Sequence, residues 1–210
     1  MCNLKIGSIK SASTPSMYGV GFLDGAKTQV DGVVCKEYSL WNNMLTRCYN
    51  EKLFIENPTY EDCYVSENFK SFRYFKEWCN NQKGFKCTNE KGKPFQLDKD
   101  ILVKGNKTYS EDTCVFVPPE VNKLITKANR IRGNLPIGVV YHKQNRNFVS
   151  KLSKENKTVS LGSHPTPNEA FLAYKEAKET YIKEVAELYK DQIDSRVYEA
   201  LMKYEVDIND

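Results

Sequence analysis

The chain has 210 residues, 40% hydrophobic and 28% charged, with thirteen Tyr and ten Phe. That is room for one large domain or two or three small ones, and the aromatic share argues against a disordered chain. The net charge is only +4, no apolar run approaches the roughly 20 residues of a membrane span, and the start "MCNLKIGSIKSASTPS" lacks the apolar core of a signal peptide, so a cytoplasmic location is expected.

Residues 1 to 35 read as an irregular start with short strands, such as "MYGVGFL" between glycines. In "EYSLWNNMLTRCYN", Leu40, Trp41, Met44, Leu45 and Cys48 recur at three- and four-residue steps, the stripe of a helix. "NPTYEDCYV" is a turn leading into a short extended piece. Ser66 is placed to cap a second helix, "ENFKSFRYFKEWCNNQ", with Phe69, Phe72, Phe75 and Cys79 on its inner side. Residues 80 to 93, rich in Gly, Lys and Asn, make a loop. Phe95 to Val103 is a strand candidate, "VKGNKTYSEDT" a loop and "CVFV" a second strand. Pro119 suits a first helical position, followed by a stripe of Val121, Leu124, Ile125 and Ala128.

The stretch "NRIRGNLPIG", 129 to 138, marks a boundary between a 1–130 region and a 131–210 domain. Beyond it, "IGVVYHKQ", "NFVSKLSKE" and "KTVSLGS" predict three strands with turns at Asn145-Arg146 and Glu155-Asn156. Alternation puts Val139, Tyr141, Phe148, Ser150, Leu152, Val159 and Leu161 on one face. Val140, His142, Gln144, Val149, Lys151, Ser153, Thr158 and Ser160 fall on the other. In "TPNEAFLAYKEAKETYIKEVAELYK", Thr166 caps a helix, Pro167 opens it and Glu169 closes a capping box. Its stripe of Phe171, Tyr174, Ala177, Tyr181, Val185 and Leu188 can cover the apolar face of the sheet and leave the polar face open. A last helix, "SRVYEALMKYEV", completes an α+β fold class.

Seven cysteines contain no C-x-x-C pair, so zinc knuckles are not expected and buried free thiols are. The charge is unevenly spread. From Val121 to Pro165 nine basic residues stand against one acid, whereas from Thr166 onward six stand against eleven. A basic middle beside an acidic tail points to a polyanionic partner for the middle.

The sheet-plus-helix segment, through "IGVVYHK", "NFVSKL", "VSLGSHPT" and "NEAFLAYKEA", resembles the plant ethylene-response-factor (APETALA-type) DNA-binding domain. In that family the exposed face of a three-stranded sheet reads double-stranded DNA in the major groove, and a ribbon of strands does fit there. The resemblance implies DNA contacts for His142, Lys143, Gln144, Arg146, Lys151, Ser153, Lys154, Lys157 and Ser160, with Arg130 and Arg132 upstream. The family's arginines and tryptophans on this face are missing, so its base preference does not transfer.

The upstream region, through "WNNMLTRCYN", "FKSFRYFKEWC", "LDKDIL", "GNKTYS" and "CVFVPPEVN", resembles the HNH homing endonucleases of phages, which often carry such an appended domain. It implies a two-strand, one-helix clasp over 95–128 holding one divalent metal such as Mg²⁺, with Asp98 and Asn122 as ligands. Lys99 falls where the family has its histidine general base, and Asp100 is a substitute base or a group behind the ligands. The family's central structural asparagine falls on Thr113, with Asn106 nearby. An ammonium keeps its proton at neutral pH unless burial or other cations drive it off, and Asp98 and Asp100 favour the charged form. The two histidines, His142 and His164, lie in the other segment. Two readings stay open: a metal-dependent endonuclease with a degenerate site, and a non-catalytic DNA-binding regulator that keeps the nuclease fold as scaffold. A third, protein interaction through the acidic C-terminal helices, belongs to a different class.

Overall fold

The computed structural model describes residues 17–125, 134–155 and 157–208. Their contacts divide the chain into two units. One runs up to Lys86 and resumes over Leu97–Val115; the other holds Cys87–Gln96 and Phe116–Asp210. This differs from a cut near residue 130, and apolar side chains explain why. Phe95 is buried and its ring meets that of Tyr189 edge-on at 6.2 Å.

The first unit is built on two helices. Trp41, Met44, Leu45 and Cys48 are buried on one side of α1 (Lys36–Tyr49), as their spacing predicts. Asn50 then caps a short α2 (Glu51–Glu56) by accepting the Lys52 N–H. The aromatic helix starts later than Ser66. Ser66 Oγ closes a 3-10 turn over Asn68–Lys70 by accepting the Phe69 N–H, and Ser71 caps α3 (Phe72–Asn81) through the Tyr74 N–H. Phe69 is still core: its carbonyl accepts the Trp41 indole N–H at 2.7 Å. A two-residue hairpin, β1 (Gln29–Val30) with β2 (Val33–Val34), lies upstream. The turn after α2 leads into β3 (Tyr64–Val65), which pairs in parallel with β5 (Thr108–Tyr109), inside a stretch expected as loop. The strand candidate 95–103 is cut to β4 (Gln96–Asp98), which shares a two-stranded sheet with β6 (Val115–Val117). Pro119 opens α4 (Pro119–Ile125) as expected; Ala128 of its predicted stripe lies outside the described residues.

In the second unit β7 (Val139–His142), β8 (Asn147–Lys154) and β9 (Lys157–His164) form an antiparallel sheet in that order. The long helix α5 (Pro167–Tyr189) covers one face, and Thr166 Oγ1 accepts the Glu169 N–H at its start. Val139, Leu152, Ala170, Phe171, Tyr174 and Val206 make the core, with Phe148, Leu161, Ala177 and Tyr181 packed around it. Leu188 departs from the predicted stripe and is 63% exposed. Beyond the sheet, α5 packs against α6 (Ser195–Met202), so its buried side shifts to Ile182, Val185, Ala186 and Tyr189. After α6, the Val206 N–H donates to Glu179 Oε1 and its carbonyl accepts from Lys175 Nζ, both at 2.9 Å. Among the described residues no helix is long and apolar enough to cross a membrane.

One irregularity breaks the alternation just past the residues whose faces were predicted. Ser150 pairs with Gly162 but Lys151 pairs with Ser160, so Leu161 is an extra residue, a β-bulge. Leu161 packs inward as predicted, yet Gly162 and His164 then share the face of Ser150 and Phe148, and Ser163 turns outward beside Val149. Gly162 has φ +123, a conformation that side chains resist.

Candidate nucleic-acid interface

The outward face of the sheet is set by cross-strand partners, which share a face. Its rows are His142 with Asn147, Val140 with Val149 and Ser163, Lys151 with Ser160, and Ser153 with Thr158. Most of these side chains are exposed. His142 Nδ1 accepts the Asn145 N–H at 3.4 Å. Lys143, Gln144 and Arg146 occupy the exposed β7–β8 turn, where Arg146 takes φ +49. Lys157, expected among the DNA contacts, begins β9 opposite Lys154 and so shares the helix side of the sheet. Among the described residues, no carboxylate lies within ion-pair distance of Lys143, Arg146, Lys151 or Lys157. Lys154 is different. It has the parity of Leu152, faces α5, pairs with Glu184 at 2.8 Å and lies 4.7 Å above the Tyr181 ring. Arg130 and Arg132 lie outside the described residues.

In the stretch expected to form a clasp, side chains close a loop. Asp98 is buried, and its Oδ1 accepts the backbone N–H groups of Asp100 and Ile101 at 2.8 and 2.7 Å, an Asx turn that ends β4. Burial is the main influence on its carboxyl and holds its pKa above the ordinary value, with the two N–H bonds pulling the other way. Lys99 follows with a side chain only 8% exposed. Its ammonium donates to both Asp100 carboxylate oxygens at 2.8 Å and to the Asn106 carbonyl at 2.5 Å, near the face of the Tyr109 ring. Asn106 braces the loop from inside: Nδ2 donates to the Lys99 and Thr108 carbonyls, and Oδ1 accepts the Thr108 N–H. Thr113 Oγ1 donates to the same Thr108 carbonyl at 2.8 Å. Asn122 Nδ2 donates to Gln96 Oε1 at 2.9 Å.

These residues do not fit a metal clasp. Such sites offer carboxylate, imidazole or carbonyl donors without competing cations. Here the carboxylate closes a turn and burial favours its neutral form, while the next residue is an ammonium with its protons engaged. Lys99 as general base would have to surrender a proton that Asp100 and the Asn106 carbonyl hold. Among the described residues no three His, Cys, Asp or Glu side chains converge.

The turn geometry predicts a contrast between two substitutions. Asp98→Asn keeps an oxygen for both N–H groups and removes a buried charge, so its unfolding midpoint should match the parent. Asp98→Ala orphans both donors and should cost about 1–3 kcal/mol in urea unfolding. Equal losses in the two variants would show that the Asx turn does not hold the loop.

Spacing alone did not point to Asn106 and Ser163 in these positions. The Gly-Asn pair at 105–106 signals the turn, and a glycine inside a strand signals the bulge. The six described cysteines are free, and burial pushes the Cys48 and Cys114 thiols up to about 12. Against protein families, curated proteins and solved structures, the chain matches no family model, no curated protein and no solved structure.

Proposed function

We propose that this protein binds double-stranded DNA through the open face of its three-stranded sheet, and that it is of the phage HNH homing endonuclease type with the nuclease motif kept as scaffold. The supporting observation is the face itself: hydroxyls, a histidine and a lysine on the sheet, rimmed by Lys143 and Arg146 with no acid in ion-pair distance among the described residues. Cations without internal partners are available to phosphates, and polar side chains on a ribbon can reach base edges. The loop braced by Asp98, Lys99, Asp100 and Asn106 favours the scaffold reading over Mg²⁺-dependent cleavage.

The test is fluorescence anisotropy of the full chain with a labelled duplex, alongside incubation with supercoiled DNA and Mg²⁺ or Mn²⁺. Three phosphate contacts predict an affinity loss of about fortyfold between 50 and 200 mM salt. Lys151→Ala and Arg146→Ala should each lower that salt dependence by about one contact. Lys154→Ala should leave it unchanged, because Lys154 is already paired on the helix side. Salt-insensitive affinity would overturn the interface. Robust cleavage abolished by Asp98→Ala would overturn the scaffold reading.

A further inference from the structure

The centre of the proposed DNA-binding face is apolar. Val140 and Val149 are direct cross-strand partners, and Val140 is 46% exposed. Around them stand Ser163 beside Val149, Ser160 beside Lys151, and Thr158 beside Ser153, with no protein partner for these hydroxyls among the described residues. A valine pair on the solvated side of a sheet is ordinarily a solubility cost, and here it lies within a ring of small hydroxyls and unpaired cations. We infer that Val140 and Val149 form a reader of thymine C5-methyl groups, so that the face prefers T-containing steps; the inference rests on the DNA-binding reading above.

The chemistry is specific to one groove and one base. The thymine methyl is the only methyl group that unmodified base pairs present in the major groove, and apolar side chains are what recognise it. Side chains directly opposite on neighbouring strands stand about 5 Å apart, and stacked bases are about 3.4 Å apart along a strand. The two isopropyl groups therefore span about one and a half base steps, enough to face two adjacent base pairs. Ser163, Ser160 and Thr158 can donate or accept, so they tolerate either base edge and do not set the preference. The flanking Lys143, Arg146 and Lys151 match the phosphates on either side by charge. A second protein docking on this face would instead meet rim cations that have to be neutralised.

The experiment selects duplexes from a randomised pool with the full chain, then remakes the tightest binders with deoxyuridine in place of thymidine, one position at a time. At the positions read, loss of each methyl should weaken binding about fourfold, the expectation for one buried carbon group. 5-Methylcytosine opposite guanine at an adjacent position should recover part of that loss. Val140→Ser, chosen because the site is half exposed, should reduce the deoxyuridine penalty at one position, and Val140→Thr, which keeps the β-branched shape but replaces one methyl, should do the same with the unfolding midpoint as the check on folding. Val149→Ser should act on the neighbouring position. Tight, salt-dependent binding with no deoxyuridine penalty anywhere would overturn the methyl reader and leave the DNA-binding reading standing. Absence of binding to every duplex at low salt would overturn both.

Discussion

Gly138→Ala should lose about 2–5 kcal/mol of stability, from a left-handed backbone that a side chain resists and from overpacking. Gly138 has φ +76, and a Cβ there would sit 2.1 Å from Tyr174 Cδ2 and 2.3 Å from Cγ. Tyr174 cannot step aside, because it is buried in the core between the sheet and α5. The Gly138 carbonyl also accepts the Lys151 N–H at 2.8 Å, so the backbone cannot rotate away without opening the β7–β8 ladder. Urea unfolding should show a lower midpoint with unchanged slope. In a Tyr174→Ala background the ring is gone, and Gly138→Ala should then cost only the backbone share, about 1–2 kcal/mol. Full additivity of the two substitutions would mean that the helix and the glycine do not meet.

Lys99→Met is expected to destabilise the protein by about 1–3 kcal/mol, because it removes a buried ammonium with its hydrogen bonds while Asp100, with a side chain 46% exposed, stays solvated. Methionine keeps the length of the stem, so the loss isolates the ammonium, which alone ties Asp100 to the Asn106 carbonyl. A double substitution, Lys99→Met with Asp100→Asn, should recover part of the loss because no carboxylate is left facing an apolar side chain. A lysine acting as a base would behave otherwise: its removal would end cleavage and leave the unfolding midpoint where it was. Urea unfolding of the single and double variants, with the supercoiled-DNA assay beside it, separates these outcomes.

The sheet and the long helix were legible because their signals are local and repeated. Val139, Leu152, Phe171 and Tyr174 all fall on the side that alternation or helical spacing assigns them. The signal fails where a distant partner changes. Leu188 obeys the helical period, yet the second half of α5 packs against α6 instead of the sheet. The bulge at Leu161 is signalled in sequence only by Gly162, because alternation carries no register; the pairing of Lys151 with Ser160 places it. In the nuclease-like motif, residue types were readable but their use was not. An aspartate that closes a turn and one that holds a metal look the same in a sequence; the N–H groups of Asp100 and Ile101 distinguish them. Similarly, a lysine beside two acids does not announce that it will be buried under Tyr109 with its protons engaged. Lys154 looked equivalent to Lys151, and only its parity with Leu152 turned it toward Glu184.

The placement of Phe95 has a bearing on how the chain is made. Its ring belongs with Tyr189, ninety-four residues later. At ribosomal rates of about 5–20 residues per second, Phe95 waits roughly 5 to 20 s before its partner is synthesised. Throughout that interval an aromatic side chain, destined to be among the most buried in the protein, stands in water beside a nascent strand edge. The vulnerable moment for aggregation therefore falls during translation, before the long helix emerges. Slower elongation between residues 96 and 189 should lower the yield of folded protein, whereas Phe95→Leu, with less surface to hide, should shorten the list of wrong partners it can find.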